Sequence, residues 1–107
     1  MAERVKNRAG ELLMLKNSPK QVQNAMIDCC DRDLIECICD CAHNVLKGNV
    51  PITDHQMQQL TPHRHNLREL TKKKTSNKRR KEILQEGGFL GAILTPILSV
   101  LGGLFKQ

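Results

Sequence analysis

From Gly88 to Phe105 the chain runs for 18 residues without a charge, and it enters this segment through KKKTSNKRRK, a run with seven cations in ten positions. An apolar segment of this length must be covered by a bilayer, a groove on a partner or a core, while the cations beside it call for polyanions or solvent. As a helix, 18 residues span about 27 Å, slightly short of the ~30 Å hydrocarbon layer. Gly91, Thr95, Pro96, Ser99, Gly102 and Gly103 dilute the apolarity. These interruptions favour a segment that inserts into a membrane interface or docks on a partner over a stable transmembrane anchor, with a core helix as the third alternative. The expected contact residues are Phe89, Leu90, Ile93, Leu94, Ile97, Leu98, Leu101, Leu104 and Phe105, with Gly87 and Gly88 as a hinge between charge and apolar tail.

The cations are Lys72, Lys73, Lys74, Lys78, Arg79, Arg80 and Lys81, and they account for the formal net charge of +6, because the remainder of the chain is nearly neutral. Their mutual repulsion disfavours a compact fold unless an anionic partner is present. Such a run is expected to contact nucleic-acid phosphates, to serve as a nuclear localisation signal, or both. With Phe89 and Phe105 as the only aromatic residues, the chain lacks the stacking platforms of single-strand binders. Contacts are therefore expected to go to phosphates, without sequence selectivity.

Residues 1–71 read as a small helical domain, 72–86 as a basic nucleic-acid-binding segment and 87–107 as the apolar tail. Val5, Leu12, Leu13 and Leu15 pattern a first helix over Glu3 to Lys16, weakened at Gly10. Ser18 is an N-cap candidate with Pro19 at the first position of a second helix, whose expected buried face is Val22, Ala25, Met26 and Cys29. Asp31 can cap a third helix with the stripe Leu34, Ile35, Ile38, Cys41, Ala42, Val45 and Leu46, closed by Gly48. Thr53 opens a fourth that carries Met57, Leu60, Leu67 and Leu70 and is kinked or restarted at Thr61-Pro62. Thr75 or Ser76 caps the basic helix, with Ile83 and Leu84 as its apolar positions. No strand-type alternation occurs, so the expected fold is all-α: a bundle of about four short helices followed by a basic helix and a hydrophobic C-terminal helix.

Five cysteines, Cys29, Cys30, Cys37, Cys39 and Cys41, crowd into thirteen residues. Their odd number and the absence of a signal peptide at Met1 point to reduced thiols. Although Cys39 and His43 sit four apart, no C-x2-C knuckle is present, and the thiols continue an apolar helical stripe, so packing is expected rather than a metal site. His55, His63 and His65, beside Arg64 and Arg68, read as exposed polar residues that add positive charge below about pH 6.5. No carboxylate pair, nucleophile triad or phosphate-binding glycine loop can be assigned, which sets aside an enzyme and any cofactor.

The passage KRRKEILQEGGFLGAILTPILSVLGGLF resembles the C-terminal part of the precursors of small adenovirus core proteins, where an arginine-rich DNA-condensing segment precedes a double glycine and an apolar Leu/Ile/Pro/Gly stretch. HNVLKGNVPIT, LRELTKKK and the GGFL tail together resemble the small basic proteins that Polinton/Maverick elements and adintoviruses carry beside their capsid genes, over roughly residues 8–105. The resemblance implies a virion core or minor capsid protein, located in the virion and the host nucleus, that contacts packaged DNA, capsid or other virion proteins, and a membrane during entry. On matching positions it assigns Lys78, Arg79, Arg80 and Lys81 to DNA, and Gly87, Gly88, Phe89 and Leu90 to the start of the apolar segment. The chain departs from the core-protein pattern in being lysine-rich and less basic, in its folded N-terminal region, and in lacking a clear processing-protease site.

The expectation is thus a binding protein without turnover, whose basic segment neutralises DNA and whose tail engages membrane or capsid. The alternative is a helical interaction adaptor anchored to a membrane, in which the cations meet anionic headgroups. A sequence-reading helix-turn-helix is disfavoured, because DRDLIECICDCAHNVL is acidic and apolar where a recognition helix presents Arg, Asn or Gln.

Overall fold

The computed structural model describes the backbone of residues 3–105 and the side chains of residues 3–102. Its helices are α1 (Glu3–Asn7), α2 (Ala9–Asn17), α3 (Lys20–Cys29), α4 (Arg32–Leu46), α5 (Asp54–Leu60), α6 (Arg64–Thr71), α7 (Asn77–Gly87) and α8 (Leu90–Phe105), with one 3-10 turn at Thr61–His63. Among the described residues there is no strand, and the fold is all-α.

The central element is α4, the helix with the most regular apolar stripe. Asp31 caps it by accepting a hydrogen bond from the Leu34 amide at 2.8 Å. Leu34, Ile35, Cys37, Ile38, Cys39, Cys41, Ala42 and Val45 are buried, whereas Leu46 is exposed where the helix ends. Gly48 then takes a left-handed conformation, φ 74°, which favours glycine at this position. Around α4 pack α1, α6, α7 and α8.

Several boundaries differ from the periodicity. The first helix breaks at Arg8 and not at Gly10, because the Arg8 side chain turns away to bind three carboxylates. Its buried face is Val5, Ala9, Leu12 and Leu15, leaving Leu13 exposed. Pro19 occupies the N-cap position of α3, and Ser18 instead donates its hydroxyl back to the Met14 carbonyl at 2.7 Å. The buried residue of α3 is Ile27, with Met26 and Cys30 half-buried beside it; Val22, Ala25 and Cys29 are exposed, because α3 turns toward α2 and α7 the side that carries Gln23 and Ile27. Thr53 closes a full capping box with Gln56. The following helix restarts at Pro62, so that α5 and α6 are separate, and Met57 is left exposed while Leu60, Leu67 and Leu70 are buried.

The apolar C-terminal segment is a core helix. Phe89, Leu90, Ile93, Leu94, Ile97 and Leu101 are each at most 3 % exposed, and α8 lies against α2, α4 and α5. The expected assignment of these residues to a membrane or partner surface is corrected accordingly: α4 presents a complementary apolar stripe, and burying α8 there removes more apolar area from water than leaving it outside. Leu98 is half-buried on the rim of the core, and Leu104 and Phe105 lie outside the described side chains. The chain measures 38 × 27 × 26 Å with a radius of gyration of 12.8 Å, close to the about 13 Å expected of a single compact domain of this length. The basic segment and the tail thus supply α7 and α8, which pack against the helices of residues 1–71.

Candidate nucleic-acid interface

α7 begins at Ser76, whose hydroxyl accepts from the Arg79 amide at 3.2 Å. The preceding loop is tight: the Thr75 amide donates to the Lys72 carbonyl at 3.1 Å, and the Thr75 hydroxyl to the Glu69 carbonyl at 2.6 Å. Folded this way, the loop holds Lys72, Lys73 and Lys74 at its tip, all exposed, with Lys78 exposed on the first turn of α7.

The other three cations of the run are committed to the fold. Arg79 grips Glu69 with two parallel hydrogen bonds, 2.8 Å from Nε and 3.2 Å from Nη2, tying α7 to α6. That contact holds the Glu69 carboxyl below its usual range and raises the Arg79 guanidinium. Arg80 donates from Nε to the Leu70 carbonyl at 3.2 Å and from Nη2 to the Lys72 carbonyl at 2.9 Å, so it caps the C-terminus of α6. Lys81 donates to the Asp28 carbonyl at 3.0 Å at the end of α3, and Gln85 reaches the Asn24 carbonyl and the Asp28 carboxylate beside it. Arg79, Arg80 and Lys81, expected to contact phosphates, thus each have an intramolecular partner on α3, α6 or the loop that follows α6.

The structure adds two residues to the cationic surface. Arg64 and Arg68 are exposed on α6, and among the described residues neither guanidinium makes an ion pair or hydrogen bond. The other five arginines, Arg4, Arg8, Arg32, Arg79 and Arg80, all do. Arg64, Arg68 and Lys72 recur every four residues, the spacing of one helical face. This spacing is the sequence signal that could have found them. Residues 61–86 hold nine Lys/Arg against three Asp/Glu, a net charge of +6 equal to that of the whole chain.

Along the edge of α4, charge is neutralised internally. Arg8 contacts Glu11, Asp31 and Asp33 at 2.8, 2.9 and 2.8 Å, and Arg4 contacts Asp33, Glu36 and Asp40 at 3.3, 3.5 and 3.2 Å. Hydrogen bonding from Arg8 holds the Asp31 carboxyl below its ordinary range. These contacts pin α1 and α2 to the acidic edge of α4.

The cysteines pack. Cys37, Cys39 and Cys41 are buried, all five thiols are free, and burial pushes the Cys39 thiol up to about 11. Hydrogen bonding to Cys37, and then burial, pushes the Cys41 thiol up. Among the described residues no group of His, Cys, Asp and Glu is arranged to hold a metal ion. His55 and His65 are exposed, but His63 is half-buried, its ring 5.3 Å from that of Phe89. It belongs to the packing of the α7–α8 corner.

At that corner Gly88 is left-handed, φ 67°, and a Cβ on Gly87 would fall on the Phe89 ring. The glycine pair, expected as a hinge, forms a packed turn of 97° between the two helices. No single helix among the described residues is long and apolar enough to cross a membrane; only the bent pair of α7 with residues 90–102 meets the criteria of length and composition. No family model, no curated protein and no solved structure matches the chain.

Proposed function

We propose that this is a non-enzymatic DNA-binding protein of a virion, which neutralises phosphates of packaged DNA without reading sequence. The observation that carries this reading is the set Arg64, Arg68, Lys72, Lys73, Lys74 and Lys78, clustered within fifteen positions of the chain, exposed and without an ion pair among the described residues. The remaining cationic arginines are matched by carboxylates or carbonyls. The polarity of α7 agrees: its cations cluster at the N-terminus and Glu82 and Glu86 toward the C-terminus, opposite to the arrangement the helix dipole favours. An anion near that N-terminus offsets the mismatch. The virion context rests on the resemblance to small basic virion proteins. Capsid docking remains part of the reading, but the buried face of α8 contributes nothing to it while α8 stays in the core.

The test is the salt dependence of binding to a labelled duplex. If six cations each displace one condensed counterion, log K falls with log salt at a slope of about −5, and Lys72→Ala, Lys73→Ala, Lys74→Ala and Lys78→Ala together reduce that slope by about 3 to 4. Two duplexes of unrelated sequence should bind alike. A fourfold variant with the wild-type slope removes the lysine loop from the function.

A further inference from the structure

Beyond the phosphate-facing loop, the domain carries an apolar groove of ≈ 210 Å³ between the end of α4, the following loop, α5 and α6. Leu46, Ile52, Met57, Leu60 and Leu67 line it, with Arg64 at its edge. Leu46 is 42 % and Met57 50 % exposed, so their apolar surface is left uncovered by the fold. The volume is below the roughly 300–1,000 Å³ of small-molecule sites, and suits one or two apolar side chains delivered on a peptide. Around the groove, Lys47 follows Leu46, Arg68 lies one turn beyond Arg64, and Asp54 lies three residues before Met57. Arg64 is thus the charged residue of the lining, with Lys47 and Arg68 exposed next to lining residues along the chain and no carboxylate in the lining itself.

We infer that this groove docks an acidic amphipathic segment of a different protein, its apolar side chains seated between Leu46 and Met57 and its carboxylates on Arg64, Arg68 and Lys47. Charge complementarity selects the partner: a second copy of this chain carries +6 and is repelled, whereas duplex DNA is met chiefly through phosphate and sugar and offers little to fill an apolar groove. Arg64 suits the role because its planar guanidinium binds carboxylates bidentately. Exposed Met57 adds an adaptable side chain that moulds to different apolar anchors.

The full-length protein is titrated into a dye-labelled 16-residue helical peptide with leucines at i, i+3, i+4 and i+7 and glutamates on both flanks, beside a version with lysine flanks and one with serine for leucine. The Glu-flanked peptide should bind in the micromolar range, the other two at least tenfold more weakly. Leu46→Glu, Met57→Glu and Arg64→Glu should each weaken it about tenfold or more, with duplex-DNA affinity after Leu46→Glu or Met57→Glu changed less than threefold. Substitution of the four lysines of the loop should leave peptide binding within threefold, which separates this site from the lysine loop, although Arg64 and Arg68 serve both surfaces. Circular dichroism controls folding; Arg64 is exposed, so Arg64→Glu decides the matter if a groove variant unfolds. The proposal is overturned if the Glu-flanked peptide fails to bind at about 100 µM, if the Lys-flanked peptide binds equally, or if Leu46→Glu and Met57→Glu abolish binding to phosphatidylserine vesicles while leaving peptide binding intact.

Discussion

Arg80 and Lys73 look alike in sequence, two cations in one run, yet they do different work. The guanidinium of Arg80 spans the carbonyls of Leu70 and Lys72 and also reaches Asn77 at 3.4 Å, while Lys73 projects from the loop. Arg80→Ala should therefore destabilise the fold by about 1–2 kcal/mol, since it removes the side-chain donor from the Leu70 carbonyl at the end of α6 and the tie to Lys72, and Lys73→Ala should leave the thermal midpoint unchanged; differential scanning calorimetry separates the two. The Arg79–Glu69 pair gives a pH signature. The carboxyls of Glu69 and Asp31 are depressed in the folded state from ordinary values of 4.5 and 3.8, so the unfolded chain binds more protons in that range and stability rises with pH through it. The contribution is fully present above those values and is lost as pH falls through the folded ones. Acid unfolding of Glu69→Gln, followed by circular dichroism, should show a shallower fall below about pH 4.5 than wild type.

Three of the peripheral helices end on a side chain supplied by a later one. Gln23 of α3 donates to the Leu15 carbonyl at the end of α2 at 2.8 Å, Lys81 of α7 closes α3, and Arg80 closes α6. This makes α7 a clasp between α3 and α6 as well as a charged helix. Where α7 meets α8, the Phe89 ring occupies the space over Gly87 that any side chain would take. Gly87→Ala should force that ring outward and lower stability by about 1–3 kcal/mol, and Gly88→Ala by about 1–2 kcal/mol through its left-handed backbone. Urea titration of both variants measures the loss. A corner that tolerates both substitutions unchanged would return the glycine pair to the role of a flexible hinge.

On the scale of the whole chain, α8 decides whether the first seven helices have a core at all. Phe89, Leu90, Ile93, Leu94, Ile97 and Leu101 are six buried side chains, each contributing roughly 1.5–3 kcal/mol, together comparable with the full stability of a small domain at about 5–15 kcal/mol. A chain ending at Gly87 should accordingly lose its cooperative thermal transition and expose apolar surface to a dye such as ANS. A truncated chain that melts cooperatively near the wild-type temperature would show that the tail is dispensable. Engagement of a membrane by α8 would require the same exposure, so vesicle binding by the intact protein should rise with mild denaturant and not with the charge of the lipid alone.

Much of this was legible locally. The α4 stripe, the caps at Asp31, Thr53 and Ser76, and the breaks at Gly48, Pro62 and Gly88 depend on neighbours within a turn or two, and so did the all-α class and the position of the excess charge. Which cations remain on the surface was not: Arg79, Arg80 and Lys81 are withdrawn by Glu69, Leu70 and Asp28, partners reached only once α7 lies between α3 and α6. The same holds for the apolar segment from Phe89. Sequence determined that these side chains must leave water, because hydrophobicity is a property of each residue; only tertiary structure decided that α4 and α2 cover them, because the complementary surface is assembled from residues some fifty to eighty positions away.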